Sequence, residues 1–205
     1  MFKKSLIALA LMGAAVTANA ASINLVRNGS FEADTQSDHT WNNYSNLIYW
    51  RGGSRGIELR NNVAGTASDG TNFVELDTTG NSSMSQTINT VLGREYLLSF
   101  DFTNRPGTTV STNGLSWNFG AASGYAPVVD DYVWHTFTTT VLGTGSTMIL
   151  EFAAINTSDY LGSSIDNVSV VAETPIPAAV WLFGTGIASL FGFGKRKKMN
   201  NSVNA

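Results

Sequence analysis

Three groups of residues have the types and spacing that hydrolytic chemistry needs. Gly52-Gly53-Ser54-Arg55-Gly56 matches the G-x-S-x-G pattern, in which a serine is activated only on a sharp turn from a strand into a helix. Asp130 with Asp131, and Glu75 with Asp77, are carboxylate pairs of the kind that glycoside hydrolysis uses. Whether any of these groups is catalytic depends on the elements that position it.

The sequence around the serine motif predicts a strand and not a helix. Ile57-Glu58-Leu59-Arg60 alternates apolar and polar residues, so we expect a glycine-rich hairpin turn without a nucleophile. A small domain with 15 acidic residues contains acidic pairs by chance, and we expect both pairs to lie on solvated loops and strand faces. His39 and His135 are too isolated for a zinc site. The sequence favours a protein that is not an enzyme, with a hydrolase that uses a carboxylate pair as the alternative.

Alternating patterns rich in Thr, Val, Phe and Tyr continue through residues 21–173, and these patterns predict half-buried strands. No window of 11 or more residues carries the apolar stripe of a helix. We therefore expect an all-β domain, an antiparallel β-sandwich of the jelly-roll type. The clearest strand patterns are Phe73–Asp77, Tyr96–Phe102, Thr136–Val141, Thr147–Phe152 and Ile165–Val170.

Charge is distributed unevenly along the chain. All five lysines lie near the two ends, whereas six arginines and all 15 acidic residues lie between Ala21 and Thr174, which gives that segment a formal charge of −9. A field of this sign repels phosphate backbones, so nucleic acid is not an expected partner. The chain has no cysteine, which excludes disulfides and thiolate metal sites.

Residues 1–20 have the pattern of a secretory signal peptide. Lys3 and Lys4 precede a short apolar run, Leu6–Val16, and the small-residue motif Ala18-Asn19-Ala20 follows. The run of about 11 residues is too short to span a bilayer, which takes roughly 20. We expect cleavage after Ala20, with the domain folding outside the cytoplasm.

Residues 174–198 have the pattern of a single transmembrane helix with a basic stop. Ala178–Gly194 contains 17 uncharged residues, about 25 Å of helix, which is near the lower limit for a bilayer. The basic cluster Lys195–Lys198 stays cytoplasmic by the positive-inside rule. The tail at residues 199–205 is then cytoplasmic as well, and the domain lies on the other side of the membrane.

This C-terminal segment resembles the PEP-CTERM sorting signal of Gram-negative bacteria. The resemblance implies processing by an exosortase, transient anchoring in the inner membrane with the domain in the periplasm, and then release to the cell surface or the extracellular matrix. Ile176 stands where that signal usually has a glutamate. The residues that carry the resemblance are Pro175, Pro177, Trp181, Gly184, Gly186, Lys195, Arg196, Lys197 and Lys198.

The domain itself resembles the galactose-binding-like jelly roll of carbohydrate-binding modules. The resemblance rests on the order of several short motifs, with Asn28-Gly29-Ser30-Phe31-Glu32 near the start and Ile165-Asp166-Asn167-Val168 at the end. In such modules the first and last strands are neighbours and a calcium ion is often held there. The resemblance therefore implies a structural calcium ion bound by Glu32 and Asp166, with backbone oxygens near Asn28–Ser30.

Four aromatic residues are candidates for stacking on a sugar ring, because they stand beside polar residues in loop-like stretches. They are Trp41, Tyr44, Trp117 and Tyr125. Packing in the core or at its rim is the alternative for each of them. Trp50 and Trp134 match apolar positions of the resembled modules, and we expect both in the core.

Together these observations predict an exported surface or matrix protein that is not an enzyme. Its jelly-roll domain would bind carbohydrate or act as a structural unit in exopolysaccharide or biofilm. The implied partners are an exosortase-type enzyme, the inner membrane and a polysaccharide. The alternative is a secreted hydrolase that acts on glycans.

Overall fold

The computed structural model describes residues 23–173 of the 205-residue chain. The predicted signal peptide (1–20), sorting segment (174–198) and cytoplasmic tail (199–205) lie outside the described residues and stay predictions. Within residues 23–173, no helix is long and apolar enough to cross a membrane.

Twelve strands form the described part of the chain, and all their pairings are antiparallel. They are β1 (Thr40–Tyr44), β2 (Asn46–Leu47), β3 (Trp50–Gly52), β4 (Ile57–Asn61), β5 (Asn72–Glu75), β6 (Ser83–Asn89), β7 (Glu95–Thr103), β8 (Gly114–Phe119), β9 (Ala122–Tyr125), β10 (His135–Leu142), β11 (Thr147–Ile155) and β12 (Ser164–Ala172).

The strands form two six-stranded sheets. Sheet A has the order β1-β4-β5-β12-β7-β10, and sheet B has the order β2-β3-β6-β11-β8-β9. After β5 the chain passes repeatedly from one sheet to the other, so most neighbouring strands in a sheet are distant in sequence. This arrangement confirms the predicted all-β antiparallel sandwich, and the predicted strands all appear within three residues of the expected bounds.

The inner faces of the two sheets meet in one apolar core. Phe100 of β7 packs edge-on against Phe152 of β11 with ring centroids 4.9 Å apart, and both side chains are fully buried. Burying such a side chain contributes about 1.5–3 kcal/mol to folding. Trp50 is 1% exposed and belongs to this core, as predicted.

Trp134 differs from the prediction, because it lies outside the core. Its indole meets Phe73 edge-on at 6.0 Å, and its Nε1 donates a hydrogen bond to the Thr66 carbonyl. Trp134 precedes β10 in a connecting segment. Side chains there do not alternate between the two faces of a sheet as they do in a strand. It helps to cover the outer face of sheet A.

The serine motif is a turn, but it does not join two paired strands. Gly52 ends β3 of sheet B, and β4 of sheet A begins at Ile57. Gly56 has φ of 76° and donates its N–H to the Gly53 carbonyl, which a tight turn requires. The motif therefore carries the chain between sheets and does not lead into a helix.

The first segment of the domain lies against the last strand. Leu25 N–H donates to the Val170 carbonyl at 2.8 Å, and Val168 N–H donates to the Gly29 carbonyl at 2.9 Å. A side chain at Gly29 would collide with the Val168 backbone, so only glycine permits this approach. The two ends of the domain are thus neighbours, as the resemblance implied.

Candidate functional site

A cleft of about 530 Å³ opens at the end of the sandwich where β7 and β11 end and where β8 and β12 begin. We call it the Tyr125 cleft. Its walls are uncharged and combine amide and hydroxyl groups with apolar side chains, which is the usual makeup of a small-ligand site. The lining residues are Phe102, Asn104, Asn113, Gly114, Leu115, Tyr125, Ala126, Pro127, Val128, Ile155, Asn156 and Ser163.

Hydrogen bonds hold the chain segment that closes one side of this cleft. Ala126 N–H donates to the Leu115 carbonyl at 2.9 Å, just beyond the pairing of β8 with β9. Asn104 Nδ2 donates to the Val129 carbonyl at 2.5 Å. The Asn104 amide therefore connects the end of β7 in sheet A with the chain that leaves β9 in sheet B.

Among the residues that line the cleft, Tyr125 is the exposed aromatic one, with 70% of its surface accessible. It lines the cleft and also a second cavity of about 320 Å³ on the outer face of sheet B. The register Ser116↔Tyr125 places the ring on that outer face, at the sheet edge formed by β9. Tyr125 thus stands between two adjoining cavities.

A row of polar side chains crosses the outer face of sheet B. Cross-strand pairing connects its members in the order Arg51, Ser85, Glu151, Asn118 and Ser123. We call this row the sheet-B face. It crosses from β3 to β9, four strand spacings or about 19 Å. A third cavity of about 490 Å³ lies over its other half and shares Glu151 with the second.

The structure places Trp117 on the opposite side of the β8–β9 hairpin from Tyr125. Trp117 is 7% exposed, and its ring packs on Phe137 at 5.5 Å between the sheets. It pairs with Gly124, whose missing side chain leaves room for the indole. Within residues 23–173 its buried Nε1 has no hydrogen-bond partner. Trp117 therefore supports the sheet beneath Tyr125.

Trp41 and Tyr44 lie on β1, at the edge of sheet A, and the structure does not bring them to Tyr125. Trp41 is 54% exposed and pairs with Arg60 on the outer face. Tyr44 packs against the core and donates its hydroxyl proton to Gln36 Oε1 at 2.9 Å. A ligand at Trp41 would occupy a separate surface.

Glu32 and Asp166 both reach the loop formed by residues 68–72. Glu32 Oε1 accepts N–H groups from Thr71 and Asn72 at 2.7 and 2.6 Å. Asp166 Oδ2 accepts N–H groups from Ser68 and Asp69 at 2.8 and 2.9 Å. Glu32 and Asp166, which the resemblance assigns to one calcium site, therefore both bind this loop.

The donor set at this loop has the chemistry that calcium prefers, since carboxylates are hard oxygen ligands. Among residues 23–173 no group of three or more His, Cys, Asp or Glu side chains is arranged to hold a metal. A calcium ion would therefore take carbonyl and water oxygens in addition to Glu32 and Asp166. Burial raises the pKa of Asp166 to about 7, while N–H donors from Asp69, Asn167 and Ser68 oppose that rise.

The candidate catalytic carboxylates differ in their exposure. Glu75 and Asp77 are both 0% exposed, so neither reaches a polysaccharide, and the expectation that this pair lies on a solvated surface is wrong. Asp131 receives a hydrogen bond from His135 Nε2 at 2.9 Å, and this bond lowers the pKa of the carboxyl. Asp130 is exposed.

Glu75 belongs to a buried charge cluster on the outer face of sheet A. It forms ion pairs with Arg60 and Arg105, and Arg60 Nε also contacts Glu58 at 2.6 Å. Glu75 Oε1 accepts the Gly162 N–H at 2.8 Å. Burial raises the pKa of Glu75 to about 8, although the two arginines act in the opposite direction.

This cluster positions the loops of the Tyr125 cleft. Arg105 follows Asn104, and Gly162 precedes Ser163, and both neighbours line the cleft. Asp77 acts similarly, because its Oδ2 accepts the N–H groups of Asp159 and Tyr160 at 3.0 Å each. The sequence did not reveal these roles, since acidic residues in alternating strands usually face solvent.

The fold is similar to several solved structures. A Stig cyclase, Fisc, from Fischerella sp. TAU matches with a TM-score of 0.60 and 16% identity over 76% of this chain and 100% of that chain. TmCBM61, solved in complex with β-1,4-galactotriose, matches with a TM-score of 0.51 and 16% identity over 74% of this chain and 100% of that chain.

The arabinose-bound α-L-arabinofuranosidase MgGH51 matches with a TM-score of 0.51 and 13% identity over 74% of this chain but 27% of that chain. No protein-family profile and no curated protein sequence matches. At these identities the structural likeness shows the fold, a β-sandwich that occurs in proteins of different activity.

The buried cluster predicts a pH-dependent stability. The pKa of a glutamate is about 4.3 in an unfolded chain and about 8 for Glu75 in the fold. The unfolded chain therefore loses this proton first as pH rises. The contribution of Glu75 is fully present below about pH 4.3 and is lost as the pH rises to about 8. We expect Glu75→Gln to make this decline shallower, measured by urea unfolding across the range.

Glu75→Gln removes the titrating carboxyl and also changes the contacts of Arg60 and Gly162, so the absolute free energy of unfolding changes for both reasons. The slope against pH, and not the absolute value, is therefore the measurement. Glu173→Gln, at an exposed glutamate, is the matched control and should leave the slope unchanged. Equal slopes for wild type and Glu75→Gln would contradict the assignment.

Proposed function

We propose that residues 23–173 form an exported carbohydrate-binding domain with its site at Tyr125. The observation that carries this proposal is the exposed Tyr125 ring between a cleft that combines polar and apolar side chains and a second cavity that is mainly polar. Sugar rings present C–H faces to an aromatic ring and hydroxyl groups to amides and hydroxyls. The surface around Tyr125 offers both kinds of contact.

The charges around the site indicate the class of saccharide. The Tyr125 cleft has no charged lining residue, so it suits a neutral sugar. The sheet-B face extends away from Tyr125 as a polar surface about 19 Å long. Its charged residues are Arg51 and Glu151. We infer that one or two sugar units occupy the cleft and that the rest of a neutral glycan chain follows the sheet-B face. The β-1,4-galactotriose bound to TmCBM61, a protein of the same fold, supports this class of ligand.

Binding without cleavage is the activity that this surface supports. Glycoside hydrolysis needs two carboxyl groups on either side of the scissile bond. Glu151 is the single acidic residue among those that line the three cavities around Tyr125 and the sheet-B face. The alternative of a hydrolase at these cavities therefore lacks its second carboxylate.

The location of this binding follows from the chain ends, which lie outside the described residues. We propose export through the signal at residues 1–20, transient anchoring through residues 174–198 and sorting by an exosortase-type enzyme. The basic cluster and the proline pair Pro175 and Pro177 support this proposal. The domain would then serve at the cell surface or in exopolysaccharide.

Replacing Tyr125 tests the binding site. A glycan array that includes β-1,4-galactan identifies the ligand, and affinity electrophoresis on that glycan then compares variants. We expect Tyr125→Ala to bind about tenfold more weakly, which corresponds to about 1.4 kcal/mol of lost stacking. Its thermal unfolding should stay unchanged because the side chain is exposed.

Tyr49→Ala is the matched control, since Tyr49 is a 56% exposed tyrosine between β2 and β3 near the opposite edge of sheet B. It should bind as wild type does. If the wild type binds no glycan on the array, the proposed function is wrong. New reducing ends after incubation with a bound glycan would instead favour the hydrolase.

Calcium at Glu32 and Asp166 is a second proposal with its own test. We expect calcium to raise the thermal unfolding midpoint of the wild type above the midpoint in a chelator, because a bound ion stabilises the folded state alone. Glu32→Gln should remove this difference. Identical wild-type midpoints would mean that N–H donors alone hold the loop at residues 68–72.

Sorting is tested on the mature protein. We expect mass spectrometry of the protein recovered from the cell surface to find an N-terminus at Ala21 and a C-terminus upstream of Lys195. Replacing Lys195–Lys198 by serines should reduce anchoring, because the basic stop is lost. An intact Ala205 on the surface protein would rule out processing.

A further inference from the structure

One end of the sandwich, which we call the exit end, combines two turns with the last described residue. Glu173 N–H donates to the Glu95 carbonyl at 2.9 Å, so the chain leaves the domain beside the start of β7. The turns at residues 90–94 and 143–146 meet there through paired hydrogen bonds between Gly93, Arg94 and Gly143. Glu95 also pairs with Leu142 at the end of β10.

The exit end exposes aliphatic side chains. Val91, Leu92 and Leu142 are 58%, 77% and 60% exposed, and Leu92 packs over Gly145 of the neighbouring turn. Ile23 is 78% exposed and lies next to Asn24, which pairs with Val171 near the same exit. Single exposed aliphatic residues are ordinary, but several on one end of a domain indicate an interaction surface.

The sequence limits how far this end can move from a bilayer. Four residues, 174–177, separate Glu173 from Ala178, the first residue of the predicted membrane span. Four extended residues cover at most about 14 Å, and two of the four are prolines, which favour an extended and stiff chain. The anchored domain therefore keeps its exit end within about 15 Å of the membrane surface.

We propose that the exit end contacts the lipid surface while the chain is anchored, with Val91, Leu92 and Leu142 in the interfacial layer. This proposal rests on the membrane anchoring in the proposed function, but not on carbohydrate binding. The formal charges at the exit end sum to −1, from Arg94, Glu95 and Glu173. Apolar burial and not attraction to anionic lipid therefore drives the contact, so it should resist high salt.

The absence of cysteine allows one probe to be placed at each end of the domain. Leu92→Cys places a fluorophore at the exit end. Thr157→Cys is the control, because it is exposed and follows β11, whereas the turn at 143–146 precedes β11. A nine-residue strand separates the two positions by about 30 Å. The full-length chain is reconstituted into phosphatidylethanolamine–phosphatidylglycerol vesicles with and without spin-labelled lipid.

We expect spin-labelled lipid to quench the probe at residue 92 severalfold more than the probe at residue 157, in low and high salt alike. Equal quenching at both positions would overturn the proposal, as would quenching at residue 92 that high salt removes. Val91→Cys repeats the measurement if Leu92→Cys unfolds at a lower temperature than the wild type.

Flotation separates this proposal from the proposed function. A chain that does not float with the vesicles lacks the anchor, and the lipid-contact proposal is then wrong. Glycan binding measured on the same preparation tests Tyr125 independently, and its loss would leave the quenching result intact. The emission of the probe at residue 92 could shift to the blue without being quenched by spin-labelled lipid. That result would indicate that a second copy of the chain covers the exit end, and it would overturn contact with lipid.

Discussion

Carboxylates that accept backbone N–H groups hold this domain in shape. Between residues 21 and 173 the chain has 15 acidic residues but only six arginines and no lysine, so most acids lack a cationic partner. Glu32, Asp77 and Asp166 each accept two N–H groups from a loop. A buried carboxylate without such donors would be strongly destabilising, and loops without such acceptors would leave their N–H groups unpaired. These carboxylates therefore have structural roles, and Asp77 and Glu75 hold residues 159–162 beside the Tyr125 cleft.

Much of the fold was predictable from the sequence, because the alternation of apolar and polar residues along a strand indicates which side chains are buried. Each inward residue of β7 and β11 is apolar and each predicted strand exists. The connections between sheets were not predictable, since they depend on pairings between distant segments. The same limit applies to the site. Trp117 and Tyr125 looked alike in sequence, but the register of β8 with β9 sends one ring inward and the other outward. Glu75 looked like a surface acid because the loops that bury it come from far along the chain.

The two proposed surfaces lie at opposite ends of the sandwich. β11 starts beside the turn at 143–146, at the exit end, and finishes at Ile155, in the wall of the Tyr125 cleft. With the exit end against the bilayer, the cleft would open away from the membrane, where a polysaccharide is accessible. The proposed anchoring and the proposed binding would therefore use different surfaces of the domain.

The position of β12 has a consequence for the proposed export. This last strand of the domain lies between β5 and β7 in the middle of sheet A. Until residues 164–172 arrive, sheet A consists of two separate parts, and β5 and β7 each present an unpaired edge. A chain threaded through a translocation channel from its N-terminus would remain open until almost the whole domain has crossed, since pairings between distant segments form late. If the protein is exported as we propose, this strand order would suit a secretion route that carries only unfolded polypeptide.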